Sequence, residues 1–281
     1  RLIFEDGNRF ISEFETGVHK MVQRSPHFYH NDHYPMDTLE EIERITLPDP
    51  QDAGRYQGLE EDVRFYREQG YFTYANLNGI FSGIHYFLYP YDKVLMDMLL
   101  EPEELHRLIQ KLGEYNLTVA EHLLRTGIDC ITFCDDLGDG RSMLFSPELY
   151  REMFFPYHKE LADLCHSYGA FLHMHSHGNI LKVFDDLVKA GIDMLNPLDP
   201  YEVGSMASLK EAYGDKITLV GGLDKFFFDW DEDTMERFLR ETIAVGRKGG
   251  GFLLMDSGGI PENISREKFE FYVEASKRLR K

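Results

Sequence analysis

Short apolar segments alternate with amphipathic segments of helical periodicity from residue 71 onwards, and this repeat limits the possible folds more than any other feature. Strands that alternate with helices pair in parallel through right-handed crossovers, so the repeat predicts an α/β fold. The apolar segments cover residues 71–76, 130–134, 170–175, 192–196, 217–220 and 252–255. The clearest helical segments cover residues 97–111, 115–125, 147–168, 181–190, 206–213 and 233–247.

The six predicted strands fall short of the eight in a closed (β/α)8 TIM-type barrel. The alternatives are an open sheet and a barrel whose first strands lie in the N-terminal part or before Arg1. The first residue is not methionine, which is consistent with a trimmed chain that has lost a leader or its first barrel strand. No linker divides the sequence, so we expect residues 1–281 to form a single barrel domain.

The first 50 residues predict an irregular part with a β-hairpin excursion. Asp6, Gly7 and Asn8 form a strong turn signal between two short apolar segments, residues 2–4 and 10–11. A helix is then expected between Gly58 and Gly70, ahead of the repeat.

The charge of the chain excludes several classes of partner. A formal net charge of -19 would repel phosphate backbones and anionic membrane surfaces, so we expect no nucleic acid and no membrane partner. No apolar run is long enough to cross a bilayer. The three cysteines form no CxxC pair, which favours a reducing, cytoplasmic location over a disulfide framework.

Polar side chains recur where the predicted strands end, and in a barrel these ends converge on one mouth. We therefore predict a site built from strand-end residues. The predicted catalytic residues are Asp135, Asp136 and Asp256, and the predicted cofactor-binding residues are Asn76, Asn196 and Asp224. Asp135 and Asp136 could alternatively orient the histidines or cap a helix, and Asp256 could be a turn carboxylate that binds its own backbone.

Three histidines alternate along one predicted strand, so His173, His175 and His177 share one face. His175 and His177 are close enough to bind one metal ion, most favourably zinc, and a hydrogen-bonded polar face without metal is the alternative. His173 is about twice as far from His177, so we expect a core histidine or one that orients a ligand. Cys130 and Cys134 are expected to be small buried hydrophobes.

Six segments resemble the uroporphyrinogen decarboxylase superfamily, and most closely its branch of cobalamin-dependent methyltransferases. The segments are residues 130–138, 145–150, 175–180, 191–197, 221–224 and 257–261. The resemblance runs from about Tyr71 to the C-terminus. It implies a (β/α)8 barrel with its site at the C-terminal ends of the strands.

In the methyltransferase branch, zinc is held by a His-x-Cys pair and a late cysteine, and it activates a thiol that accepts a methyl group from a corrinoid. The pair matches His175 and His177, with histidine in place of cysteine, and the late cysteine falls at Gly258. Asp256 and Ser257 are the nearest substitutes. The resemblance thus implies methyl transfer between a corrinoid (cobalamin), either as a co-substrate or carried on a partner protein, and a small methyl donor or acceptor.

Two other functions stay open at this point. Decarboxylation of a porphyrinogen-like substrate is the first, although the arginine-bearing N-terminal motif of the decarboxylase is not found and its C-terminal histidine also falls at Gly258. The second is a non-catalytic protein that binds metal or corrinoid.

Overall fold

The computed structural model describes residues 1–261 and 263–281. It begins with a four-stranded antiparallel meander in which each strand pairs with the next. The predicted hairpin is confirmed, because Asp6 Oδ1 accepts the backbone N–H groups of Asn8 and Arg9 and closes the turn. Two further strands extend the hairpin into the meander. The strands are β1 Leu2–Glu5, β2 Arg9–Glu13, β3 His19–Gln23 and β4 Phe28–His33.

The 3-10 helices Leu39–Arg44 and Ala53–Tyr56 and helix α1 Leu59–Glu68 connect the meander to the parallel sheet. Three more helices lie between the first two strands of that sheet: α2 Phe81–Phe87, α3 Tyr91–Leu100 and α4 Pro102–Arg125. The predicted helix over 97–111 is wrong in its bounds, because the chain leaves the helical conformation at Glu101 (φ -137°, ψ 56°). Pro102 follows, and a proline disfavours the helical conformation in the residue before it.

Six parallel strands form the second sheet, in chain order, and all six predicted strands are confirmed. They are β5 Tyr74–Asn78, β6 Cys130–Cys134, β7 Phe171–His175, β8 Met194–Leu198, β9 Thr218–Gly222 and β10 Phe252–Met255. The helices after β6 are α5 Pro147–Met153, α6 Phe155–Ser167, the 3-10 helix Leu181–Val183, α7 Phe184–Ala190, α8 Pro200–Val203, α9 Met206–Tyr213, the 3-10 helix Phe227–Asp229, α10 Glu232–Gly246 and α11 Arg266–Leu279.

The architecture is that of a (β/α)8 TIM-type barrel with an N-terminal β excursion. Within the described ranges the sheet has six strands, and β5 and β10 are its edges. Side chains alternate across the sheet. Ile131, Leu172, Leu195 and Leu219 point to the helices and are fully buried.

The opposite, concave face of the sheet carries polar side chains in layers set by strand register. Asn78, Cys134, His175 and Asn196 are successive register partners on β5 to β8 and form the upper layer. Asn76, Thr132, His173 and Met194 form the layer below. These residues line a cavity of about 570 Å³.

The loop after β9, residues 225–230, contains three phenylalanines and a tryptophan, and two of these rings are buried. Phe227 and Phe228 pack in a second hydrophobic cluster with residues of α10 and α11, whereas Phe226 is 49% exposed. No helix among the described residues is both long and apolar enough to cross a membrane.

Candidate metal centre

Three potential metal ligands meet at the C-terminal ends of β6 and β7. One ligand atom each of Cys134, Asp136 and His175 lies within 4.8 Å of the other two. Cys134 and His175 are direct register partners, so strand pairing itself brings the thiol beside the imidazole. We call these three residues the Cys134 cluster. It combines sulfur, oxygen and nitrogen donors, a set that suits zinc.

Asp136 is held in place by neighbouring loops. Its Oδ1 accepts the backbone N–H of His177 at 2.9 Å and lies 3.8 Å from Nε2 of His175. Its own backbone N–H donates to the hydroxyl of Ser82 at 3.2 Å. The carboxylate is therefore oriented towards the two histidines that the sequence singled out.

Asp135 points the other way and is completely buried. It accepts the backbone N–H groups of Ser82 (2.8 Å) and Ile80 (3.1 Å) and a hydrogen bond from Nε2 of His158 at 2.9 Å. Tyr150 contacts the other ring nitrogen of His158. These are the contacts of a positioning residue that fixes the turn between β5 and α2. A catalytic role for Asp135 stays a prediction.

His177 lies just outside the Cys134 cluster. Its ring centroid is 4.9 Å from that of His175, with the ring planes 82° apart. Nδ1 of His177 lies 3.9 Å from Oε2 of Glu202, a distance at which the contact is an ion pair and no longer a hydrogen bond. The Glu202 carboxylate raises the pKa of His177, and His177 in turn lowers the pKa of Glu202. Burial acts in the opposite direction on His175 and lowers its pKa.

A close approach of two loops places His177 and Glu202. Gly178 has φ +92°, and a Cβ atom there would lie 2.1 Å from the carbonyl carbon of Gly138. The backbone N–H of Gly178 donates to Oε2 of Glu202 at 2.8 Å. A glycine is required here, because any side chain would push the loop after β7 away from the loop after β6.

The other predicted site residues fall into two groups. Asn76 and Asn196 line the central cavity. Asp224 and Asp256 instead accept backbone N–H groups of their own turns, from Phe226 at 2.8 Å and from Gly259 at 2.6 Å. Neither aspartate belongs to the Cys134 cluster. Their predicted roles in the site stay predictions.

Two residues of the site were missed by sequence reasoning. Cys134 is only partly buried, and burial together with the carboxylate of Asp136 raises the pKa of its thiol to about 12. A usable signal was its position directly before the aspartate pair, at the end of a strand. Glu202 follows the end of β8 at Leu198 by four residues and lies in α8, whose N-cap is Asp199.

Comparisons with known proteins agree with this architecture. The model of the family described as uroporphyrinogen decarboxylase (URO-D) matches residues 24–279. A uroporphyrinogen decarboxylase from Pectobacterium atrosepticum is 22% identical over 304 aligned residues, covering 99% of this chain and 78% of that protein.

Two solved structures are similar in fold. A methyltransferase from Methanosarcina mazei has a TM-score of 0.68 at 19% identity, over 90% of this chain and 72% of that chain. A B12-independent methionine synthase from Shewanella sp. W3-18-1, in complex with selenomethionine, has a TM-score of 0.50 at 15% identity, over 79% of this chain and 65% of that chain. At these identities the likeness concerns the fold.

Proposed function

The chain belongs to the uroporphyrinogen decarboxylase family, and on this premise we propose that it is a metal-dependent methyltransferase. It moves a methyl group between a corrinoid and a small methyl donor or acceptor. The observation that carries the proposal is the Cys134 cluster, whose ligand atoms lie within 4.8 Å of one another at the mouth of the barrel. The methyltransferase from Methanosarcina mazei, similar in fold, supports this class of reaction.

The residues that would hold the metal are Cys134, Asp136 and His175, with His177 as the fourth candidate. Oε2 of Glu202 lies 3.9 Å from Nδ1 of His177, on the side where a carboxylate would orient a ligand histidine, and Nε2 is left for the metal. A bound zinc ion supplies Lewis-acid chemistry at the methylated heteroatom or at an acceptor thiol.

The chain's own residues prepare this site. Asp136 fixes the backbone of His177 through its 2.9 Å hydrogen bond and faces the ring of His175. Asp135 keeps the β5–α2 turn in place, and the hydroxyl of Ser82 in that turn accepts the backbone N–H of Asp136. A corrinoid carried on a partner protein would approach past the exposed rings of Tyr201 and Phe226.

Metal analysis combined with a methyl-transfer assay tests the proposal. Purified protein incubated with zinc should retain about one ion per chain, and the His175→Ala and His177→Ala variants should lose it without unfolding. His166→Ala is the matched control, because His166 pairs with Asp193 on the outside of the sheet. With methylcobalamin as donor and a panel of thiols as acceptors, the wild type should consume methylcobalamin.

Two results would contradict the proposal. One is the absence of stoichiometric zinc after incubation with excess metal. The other is equal zinc retention in wild type and in the two histidine variants.

Decarboxylation of a porphyrinogen is the second candidate, since the relative from Pectobacterium atrosepticum carries that name. The residues that line the central cavity include no lysine or arginine that could neutralise a polycarboxylate. We therefore expect no conversion of uroporphyrinogen to coproporphyrinogen. Turnover on the order of one per second or more would reverse the choice.

A further inference from the structure

A second cavity lies at the free edge of β10, next to the helices α10 and α11. Its volume is about 490 Å³. Its apolar surface comes from Ile243, Phe252, Leu253, Leu254 and Val273. Of its lining residues only Leu253 also lines the central cavity, and none belongs to the Cys134 cluster. The cavity is therefore separate from the candidate metal centre.

Three cations border this cavity without a carboxylate partner. Arg247, Lys277 and Arg280 belong to its lining, and none of them forms an ion pair with another residue that the structure describes. Arg278, by contrast, pairs with Glu236 at 2.6 Å. The chain has 49 acidic and 30 basic side chains, so three unpaired cations around one cavity are an unusual concentration of positive charge. An anionic ligand is complementary to it.

The helix ends alone do not account for this grouping of cations. Arg247 and Arg280 are the C-cap residues of α10 and α11, where a cation offsets the helix dipole. A cation has this effect near any helix end, also when it points into solvent. The dipole therefore does not explain why cations from two helices meet at one cavity.

The backbone of β10 has hydrogen-bonding groups available at the same place. Among the described strands β10 pairs only with β9, and the carbonyl groups of Gly251 and Met255 accept N–H groups from that side. Backbone groups of successive residues in a strand point to opposite edges, so those of Phe252 and Leu254 point to the free edge. Charged side chains or proline usually protect such an edge, and β10 has neither. β10 can therefore pair with an added strand.

We propose that the free edge of β10 binds an extended polypeptide segment in which apolar residues alternate with glutamate or aspartate. The segment adds a strand to the sheet and pairs with the backbone of Phe252 and Leu254. Side chains of an added strand alternate between its two faces, so the apolar ones cover Leu253 and Met255, which are 52% and 39% exposed. The carboxylates point to the other face, where the three cations lie.

Fluorescence anisotropy with a labelled octapeptide, in which valine alternates with glutamate, tests this inference. It should bind the wild type at least about tenfold more tightly than the peptides with lysine in place of glutamate or serine in place of valine. An added strand directs only every second amide to β10. Methylation of the valine nitrogens and methylation of the glutamate nitrogens should therefore differ, with one set abolishing binding and the other tolerated.

Variants of the cations complete the experiment. Lys277→Gln and Arg280→Gln should each weaken binding of the glutamate peptide about two- to fivefold, and the double variant about tenfold, because each removes an exposed charge. Added salt should weaken the wild-type affinity in the same direction. Lys248→Gln is the matched control, since Lys248 is an exposed lysine that follows Arg247 but lies outside the cavity lining. It should leave the affinity and the midpoint of thermal unfolding unchanged.

No binding of the glutamate peptide, equal binding of the lysine peptide, equal effects of the two methylation patterns, or wild-type affinity in the double variant would overturn the inference. Sedimentation velocity detects a competing occupant. A wild-type dimer that the double variant does not form would assign the edge to a second copy of the chain and would also overturn the inference. None of these measurements needs zinc or methylcobalamin, so their outcome is independent of the proposed function.

Discussion

Cys134 and His175 are register partners on neighbouring parallel strands, β6 and β7. Their side chains therefore share the upper layer of the concave face, and their ligand atoms lie within 4.8 Å of each other and of Asp136. In a parallel sheet this proximity is a property of the backbone register and does not depend on a flexible loop. The thiol and the imidazole form the rigid part of the site, and Asp136 and His177 join it from the loops.

Replacing Cys134 by alanine should lower zinc affinity by at least tenfold. Loss of a residue that only orients a metal ligand typically costs 10–100-fold, and loss of a direct ligand should cost no less. Cys130→Ala is the matched control, because Cys130 lies on the same face of the same strand and burial raises the pKa of its thiol, too, to about 12. Competition with a chromogenic chelator measures both affinities. Equal affinities would remove Cys134 from the site.

Replacing Asp135 by asparagine should destabilise the protein by about 3 kcal/mol. The carboxylate accepts three hydrogen bonds in a fully buried position, and an amide has one oxygen to accept them. Asp136→Asn is the control on the neighbouring residue, which is only partly buried, and it should cost less than about 1.5 kcal/mol. Urea denaturation measures the free energy of unfolding. A similar loss in the two variants would contradict the positioning role of Asp135.

The strands of the parallel sheet could be predicted from sequence because each is a short apolar run bounded by turn residues. The bounds of β6 and β10 agree with the prediction. β8 was predicted to end at Asn196. The strand continues to Leu198 because the ladder is irregular between Leu195 and Leu198, where Pro197 lies.

The site could be predicted only in part, because the sequence does not show how neighbouring strands align in the sheet. His175 and Asp136 were found because they stand at strand ends. Cys134 stands at a strand end too, but a thiol among apolar neighbours is typical of core packing. Its contact with His175, which lies 41 residues later in the chain, depends on the register between β6 and β7. A local sequence pattern does not contain this register. Glu202 was missed for the same reason, since only the fold brings it to His177.

Gly178→Ala should destabilise the protein and weaken zinc binding together. A Cβ atom at this position would lie 2.1 Å from the Gly138 carbonyl carbon, so the loop that carries His177 and contacts Glu202 has to move. Gly204→Ala is the control, because Gly204 has a similar φ of +82° but no atom within 4 Å of a Cβ. The control should be destabilised only by backbone strain, on the order of 1–3 kcal/mol, because the Gly204 backbone (φ 82°, ψ -167°) adopts a conformation essentially restricted to glycine, and it should keep its zinc affinity. Equal effects in the two variants would mean that the close approach of the loops does not position the site.

His85 should make the protein less stable in mild acid. Burial lowers the pKa of His85 from 6.5 to about 4, although Asp135 and Asp136 partly oppose this. Between these two values the unfolded chain binds a proton that the folded protein does not, so the stabilising contribution is complete above pH 6.5 and is lost as the pH falls towards 4.

His85→Gln removes the titration, so its free energy of unfolding should fall less steeply than that of the wild type over this range. His27→Gln is the control, because His27 is exposed and its surroundings change little on unfolding. Urea denaturation at several pH values measures the slopes, and a His85→Gln slope equal to that of the wild type would show that the buried ring does not cause the acid sensitivity.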